Sequence, residues 1–111
     1  MTDPQNDPAG FSARTAQYIE WAQVRGQSST TLDGAARHLR RFQTWCEERG
    51  VLRPSEVTRP IVERFQRHLF YTVSDRTGQP LGLSYQLALL GKVRAFFKWI
   101  VRQNYLLSNP A

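Results

Sequence analysis

The sequence predicts an all-α fold, a compact orthogonal bundle of four to five helices. Three observations carry this. Apolar residues recur at helical spacing in three long segments and gather on one side of each. No segment alternates apolar and polar residues as a half-buried strand would, and no internal repeat is visible. Isolated glycines, among them Gly26, Gly50 and Gly78, fall where these segments stop or turn. At 111 residues, 41% hydrophobic and 12% aromatic, the chain is one domain with enough apolar surface for a real core.

The elements follow in order. Residues 1–10 are polar, with two prolines, and read as a flexible tail. A first helix is expected over 12–25, capped by Ser12 and followed by Gly26, with Ala16, Ile19 and Ala22 or Val24 inward and Trp21 on a flank. A second is expected over 31–49, ending at Gly50, with Leu32, Ala35, Ala36, Leu39, Phe42 and Cys46 as its apolar stripe. The connector 51–57 returns Leu52 and Val57 to the core. Thr58 caps a third helix, whose first turn tolerates Pro60 and whose Ile61, Val62, Phe65, Leu69 and Phe70 point inward. After a loop over 74–80, a fourth helix spans about 84–104. At 100° per residue its Leu89, Leu90, Val93, Phe96, Phe97 and Ile100 share one arc.

Charge narrows the function. A net charge of +6 and a pI near 10.2 point to an anionic partner, most often nucleic acid and less often a membrane surface, or to simple solubility. The single cysteine, Cys46, forms no intrachain disulfide and builds no zinc site; on the apolar stripe it reads as a buried small residue. His38 and His68 are far apart and read as ordinary surface or core-edge histidines. No signal peptide or bilayer-spanning run is seen, which fits a reducing cytoplasm and no membrane partner. No cofactor, metal site or active site is expected. The nine acids are scattered, with Glu47-Glu48 as a solvated helix end. The glycines form no phosphate loop, and the four tyrosines have no neighbouring Arg, Lys and His cluster.

The basic residues are ordered. Arg37, Arg40, Arg41 and Thr44 project away from the second helix's stripe. Lys92, Arg94, Lys98 and Arg102 lie outside the fourth helix's arc. Plain solvation explains one such face. Here the fourth helix carries no acid from Ser84 to Asn104 to pair with its cations. Small Ala88, Gly91 and Ala95 beside the stripe also permit close approach of a polymer. These features favour DNA contact, with Thr30, Thr31 and Ser84 at helix N-termini adding N–H groups suited to phosphates as well as to capping. Trp21, Trp45 and Trp99 are read as core-rim packing rather than as base-stacking platforms.

The order of segments resembles the N-terminal core-binding domain of the tyrosine recombinases, the phage integrases and Xer-type site-specific recombinases. The matching residues cover about 11–111. They are Ser28-Ser29-Thr30-Thr31 leading to Leu39-Arg40-Arg41-Phe42-Gln43-Thr44-Trp45, then Glu56-Val57-Thr58-Arg59-Pro60-Ile61, then Arg94-Ala95-Phe96-Phe97-Lys98-Trp99, and Asn109-Pro110-Ala111. Each piece is weak alone, and the ordered set is fairly specific. The resemblance implies the SAM-like fold of integrase N-terminal domains over 11–107. It also implies that 108–111 begin a linker to a catalytic domain absent from this chain. It further implies a C-shaped clamp on a duplex recombination site, the second and fourth helices facing the major groove and its phosphates, with other recombinase subunits as synaptic partners. The family's tyrosine chemistry belongs to the following domain, so no catalytic residue is carried onto this chain. Two departures stand out. Ala88 and Leu89 are apolar where relatives often have a basic residue, and Ala36 and His38 lie near positions where relatives often have Tyr and Asp.

The expected function is therefore the DNA-binding domain of a tyrosine site-specific recombinase. Thr30, Arg37, Arg40, Arg41, Thr44, Ser84, Lys92, Arg94, Lys98 and Arg102 are its candidate contacts. Two alternatives stay open: a protein-interaction module using the basic faces, and a stand-alone helical regulator. The second needs a short turn between two helices, and the connector 51–57 is long for one.

Overall fold

The computed structural model describes residues 4–111 and shows four α-helices: α1 (Phe11–Val24), α2 (Ser29–Glu47), α3 (Arg59–Tyr71) and α4 (Leu83–Arg102). Short 3-10 turns occupy Pro4–Asn6 and Pro54–Glu56. Among the described residues there is no strand, only one antiparallel bridge, Val73 to Pro80.

Three helices end by one device. Gly26, Gly50 and Asn104 take left-handed φ angles of 90°, 79° and 62°. In each case the next residue's N–H reaches back to a carbonyl five residues earlier: Gln27 to Ala22, Val51 to Cys46, Tyr105 to Ile100. This is the Schellman closure, and it satisfies carbonyls that the helix itself leaves free. The third helix ends differently. Thr72 leads into a hairpin-like loop, in which Ser74 N–H donates to Gln79 and Leu81 N–H to Thr72.

The core is aromatic. Phe42 of α2 meets Phe11, Phe65 and Phe97 edge-on at centroid distances of 6.0, 4.9 and 6.1 Å, which ties it to α1, α3 and α4. A second cluster forms around Tyr18, which contacts Trp21, Phe96 and Trp99. Edge-to-face pairs of this kind add to the burial energy of the rings. The inward sets expected for α2, α3 and α4 largely hold. Leu32, Ala35, Leu39, Phe42, Cys46, Val62, Phe65, Leu69, Leu89, Val93, Phe96, Phe97 and Ile100 are buried.

Several expectations are corrected. Phe70 is exposed, lying against Tyr71 at the end of α3. Its position is about 100° around the helix from Leu69, off the buried arc. In α1, Phe11 and Tyr18 are buried along with Ala22, while Ala16 and Val24 face solvent. Pro54 is buried in the connector and Leu52 is not. Trp45 and Trp99 are core residues rather than rim residues. Ser12 does not cap α1: Gly10 occupies that position, and Ser12 Oγ donates to Gln5 and accepts from Gln43.

The flexible tail expected over 1–10 gives way, over its described part, to a docked arm. Arg53 donates from Nε and Nη2 to the two carboxylate oxygens of Asp7, at 2.7 and 3.2 Å. Asp7 also accepts from Ala9 N–H. These bonds, the Arg53 side chain's first, hold the Asp7 carboxyl below its ordinary range. Residues 1–3 lie outside the described residues. At the other end, Asn109 donates to the Arg94 carbonyl and Pro110 is buried, so 108–111 fold back on α4.

Candidate nucleic-acid interface

The candidate interface begins on α2. Ser28 caps the helix, accepting from Thr31 N–H at 3.2 Å, and this places exposed Thr30 in the first turn. From there Arg37, Arg40, Arg41 and Thr44 lie opposite Leu39 and Phe42, because the helical period that buries one set exposes the other. Thr30, Arg37 and Arg40 line one shallow depression with Asp33 and Ala36. Gly34 leaves room along this face, where an added Cβ would stand 3.8 Å from the Arg37 guanidinium.

Arg41 turns to α4. Its Nη1 donates to the Tyr85 hydroxyl at 3.2 Å, and the His38 ring meets the Tyr85 ring edge-on at 5.4 Å. Burial first, then the charges of Arg37, Lys92 and Arg41, disfavour protonation of His38. The α2–α4 seam is thus a built cluster of Arg37, His38, Arg41, Tyr85 and Lys92. Sequence reasoning missed Tyr85 and His38, and Tyr85 does gain an Arg and His neighbourhood that local sequence did not show. The available signal was the register. Tyr85 precedes Leu89 by one turn, and His38 precedes Phe42 by one turn, so each stands over a buried residue.

The rest of the α4 stripe disperses. Arg94 lines a groove on the α3 side with Arg59, Glu63, Leu87 and Leu90. Arg102 lies 5.9 Å from the Trp21 ring on the α1 side, where Arg25 also stacks at 4.5 Å. Lys98 is exposed between them, and Ser84 is exposed in the first turn of α4.

Ion pairing does not account for these charges. Among the described residues only Arg53 and Arg49, of fifteen Lys and Arg, come within 4.0 Å of a carboxylate, and neither is among the contacts expected from the sequence. Cys46 is fully buried, and burial pushes its thiol up to about 12. Among the described residues no group of three or more His, Cys, Asp and Glu is placed to hold a metal, and no helix is long and apolar enough to cross a membrane.

Over 94 residues the chain is 44% identical to the protein named Tyrosine recombinase XerC 2 of Ralstonia nicotianae. The aligned stretch is 85% of this chain and 27% of that protein, so the chain spans about a quarter of its relative's length. No family model and no solved structure matches the chain. This identity along most of its length, with the all-helical frame, supports a tyrosine recombinase-type domain.

Proposed function

We propose that this domain holds duplex DNA for a tyrosine site-specific recombinase, positioning the enzyme on its core site and supporting synapsis with other subunits. The catalytic domain of the same enzyme would close the clamp. The observation that carries this reading is the unpaired basic surface of α2 and the α2–α4 seam on a tyrosine recombinase-type domain. Guanidinium groups suit phosphate oxygens bidentately, and unpaired ones need lose no internal partner on binding. Thr30, Arg37, Arg40, Arg41, Thr44 and Lys92 form the main contact set. Ser84 and Lys98 extend it along α4, and Arg94 and Arg102 contribute from its flanks.

Titration of a labelled duplex of about 20 base pairs, at 50 and 200 mM salt, tests the proposal. With ~4–6 phosphate contacts, affinity falls by about two to three orders of magnitude between the two conditions. A flat salt response, or no binding at 50 mM, counts against it.

A second reading applies to one face. The groove carrying Arg94 is lined by exposed Leu87 and by Leu90, and exposed Leu83 and Phe70 stand one helical turn from its lining residues Leu87 and Gln66, an apolar set that suits a protein neighbour better than a phosphate chain. Concentration-dependent self-association of the chain without DNA, abolished by Leu87→Ser, would support a protein contact there.

A further inference from the structure

The basic surface continues past Thr44 onto a helix whose charges drew no attention in the sequence. On α3, Arg64, Arg67, His68 and Tyr71 are spaced by three and four and lie opposite buried Val62, Phe65 and Leu69. Together with Trp45 and Arg49 at the end of α2 they line a concave depression. Arg49 is held there. Its Nη1 donates to the Trp45 carbonyl at 2.9 Å, and its guanidinium lies 4.3 Å over the Trp45 ring. The nearest acid is Glu48, 3.6 Å from Arg49, while Arg64 and Arg67 pair with no carboxylate among the described residues.

This depression joins the first surface. A smaller one, lined by Arg41, Thr44, Trp45, Glu48 and His68, shares Trp45 and His68 with it. After burial, the charges that most disfavour protonation of His68 are Arg49 and Arg41, one from each side. The cations therefore form one strip, running from Arg37 along α2 and across to α3. From Arg37 to the end of α2 at Glu47 the strip covers roughly 15 Å at 1.5 Å per residue. That length already follows about four base pairs at 3.4 Å each, and α3 lengthens it. A long strip of spaced guanidiniums matches a phosphodiester backbone, whose charges repeat along a line.

We propose that the α2–α3 depression, built on Arg49, Arg64 and Arg67, is a second backbone contact for the same duplex, beyond the stretch held at the α2–α4 seam. This rests on the DNA-binding reading above.

The test compares Arg64→Ala/Arg67→Ala with Arg37→Ala/Arg40→Ala in this 111-residue chain. Binding to a duplex of about 20 base pairs is followed across 50 to 200 mM salt. Each lost phosphate contact lowers the slope of log affinity against log salt by about 0.9, so the α3 pair should lower it by about two. Arg64→Lys/Arg67→Lys keeps the charge and should keep the slope. Amide shifts of residues 64–71 on adding duplex to the unsubstituted chain give a readout independent of any variant. An unchanged slope for the α3 pair, with a lowered slope for the α2 pair, overturns the second contact and leaves the DNA reading standing. Absence of binding by the unsubstituted chain at 50 mM overturns both.

Discussion

Helices α2 and α4 look alike in sequence, each with an apolar arc and a basic side, yet the fold uses those sides differently. The cations of α2 converge: Arg37 and Arg40 share a depression, and Arg37 and Arg41 reach the seam with His38, Tyr85 and Lys92. The cations of α4 diverge, Arg94 toward α3, Arg102 toward Trp21 on α1, and Lys98 to solvent between them. Spacing along a helix fixes which side of that helix a residue occupies. It does not fix what packs beside that side. Here α2 is the hub of the bundle, through Phe42, and offers one continuous outer surface. The buried arc of α4 is flanked by three different helices.

The largest effect should separate the two sides of α4. Phe97→Ala empties a fully buried site against Phe42 and should cost about 3–5 kcal/mol in a denaturant or thermal melt. Lys98→Ala, one residue along, should leave the melt unchanged. A small loss for Phe97→Ala would mean that the core can close over the gap. Next comes the contrast between helices. Arg37→Ala/Arg40→Ala/Arg41→Ala should lower the salt slope of duplex binding by about 2.7, at 0.9 per contact. Arg94→Ala/Arg102→Ala should lower it by less than half of that. Equal slopes would break the comparison, and show that bound DNA gathers what the free fold separates. Either set should weaken binding to all sequences alike if its members touch only phosphates. A loss confined to one sequence would assign base readout.

Tyr85→Phe is a finer probe. It removes the hydroxyl that fixes Arg41 and leaves the ring against His38, so duplex affinity should fall by about two- to thirteen-fold, or ~0.5–1.5 kcal/mol. An effect as large as that of Arg41→Ala would make the Tyr85 hydroxyl a contact in its own right. The smallest effect on DNA is expected from Asp7→Asn, which lies with Arg53, outside both surfaces. Its signature is in stability. The folded-state pKa of Asp7 is depressed, so its contribution is present above about pH 4 and is lost as pH falls through the lower folded value. Acid melts of the variant should therefore show a shallower decline below about pH 4 than those of the unsubstituted chain.

Much of the fold was legible in the sequence because burial and helical period act together. Leu89, Val93, Phe96, Phe97 and Ile100 could face only one way once α4 was assigned, and Gly26 and Gly50 marked ends that need a left-handed residue. The weak point was α1. Its inward residues include Tyr18, whose polar hydroxyl hides a ring that holds Trp21, Phe96 and Trp99 together. The arm at 4–10 was illegible for another reason. Asp7 is an ordinary polar residue until a connector 46 positions away brings Arg53 to it. The same holds for the candidate interface. Arg37, Arg40 and Arg41 could be read from one helix. The seam with Tyr85 and the strip onto Arg64 and Arg67 exist only through packing of separate helices.

Cys46 offers a practical opening. It is the chain's one thiol, wholly enclosed and held protonated at neutral pH, with an ionisation near 12. A cysteine introduced at an exposed position such as Thr30, Lys98 or Arg67 would then be the only group to react with a maleimide dye. Site-selective labelling needs no cysteine-free background, and the core stays unaltered. Pairs of such dyes, one on α2 and one on α3, would report directly on whether a bound duplex lies across both.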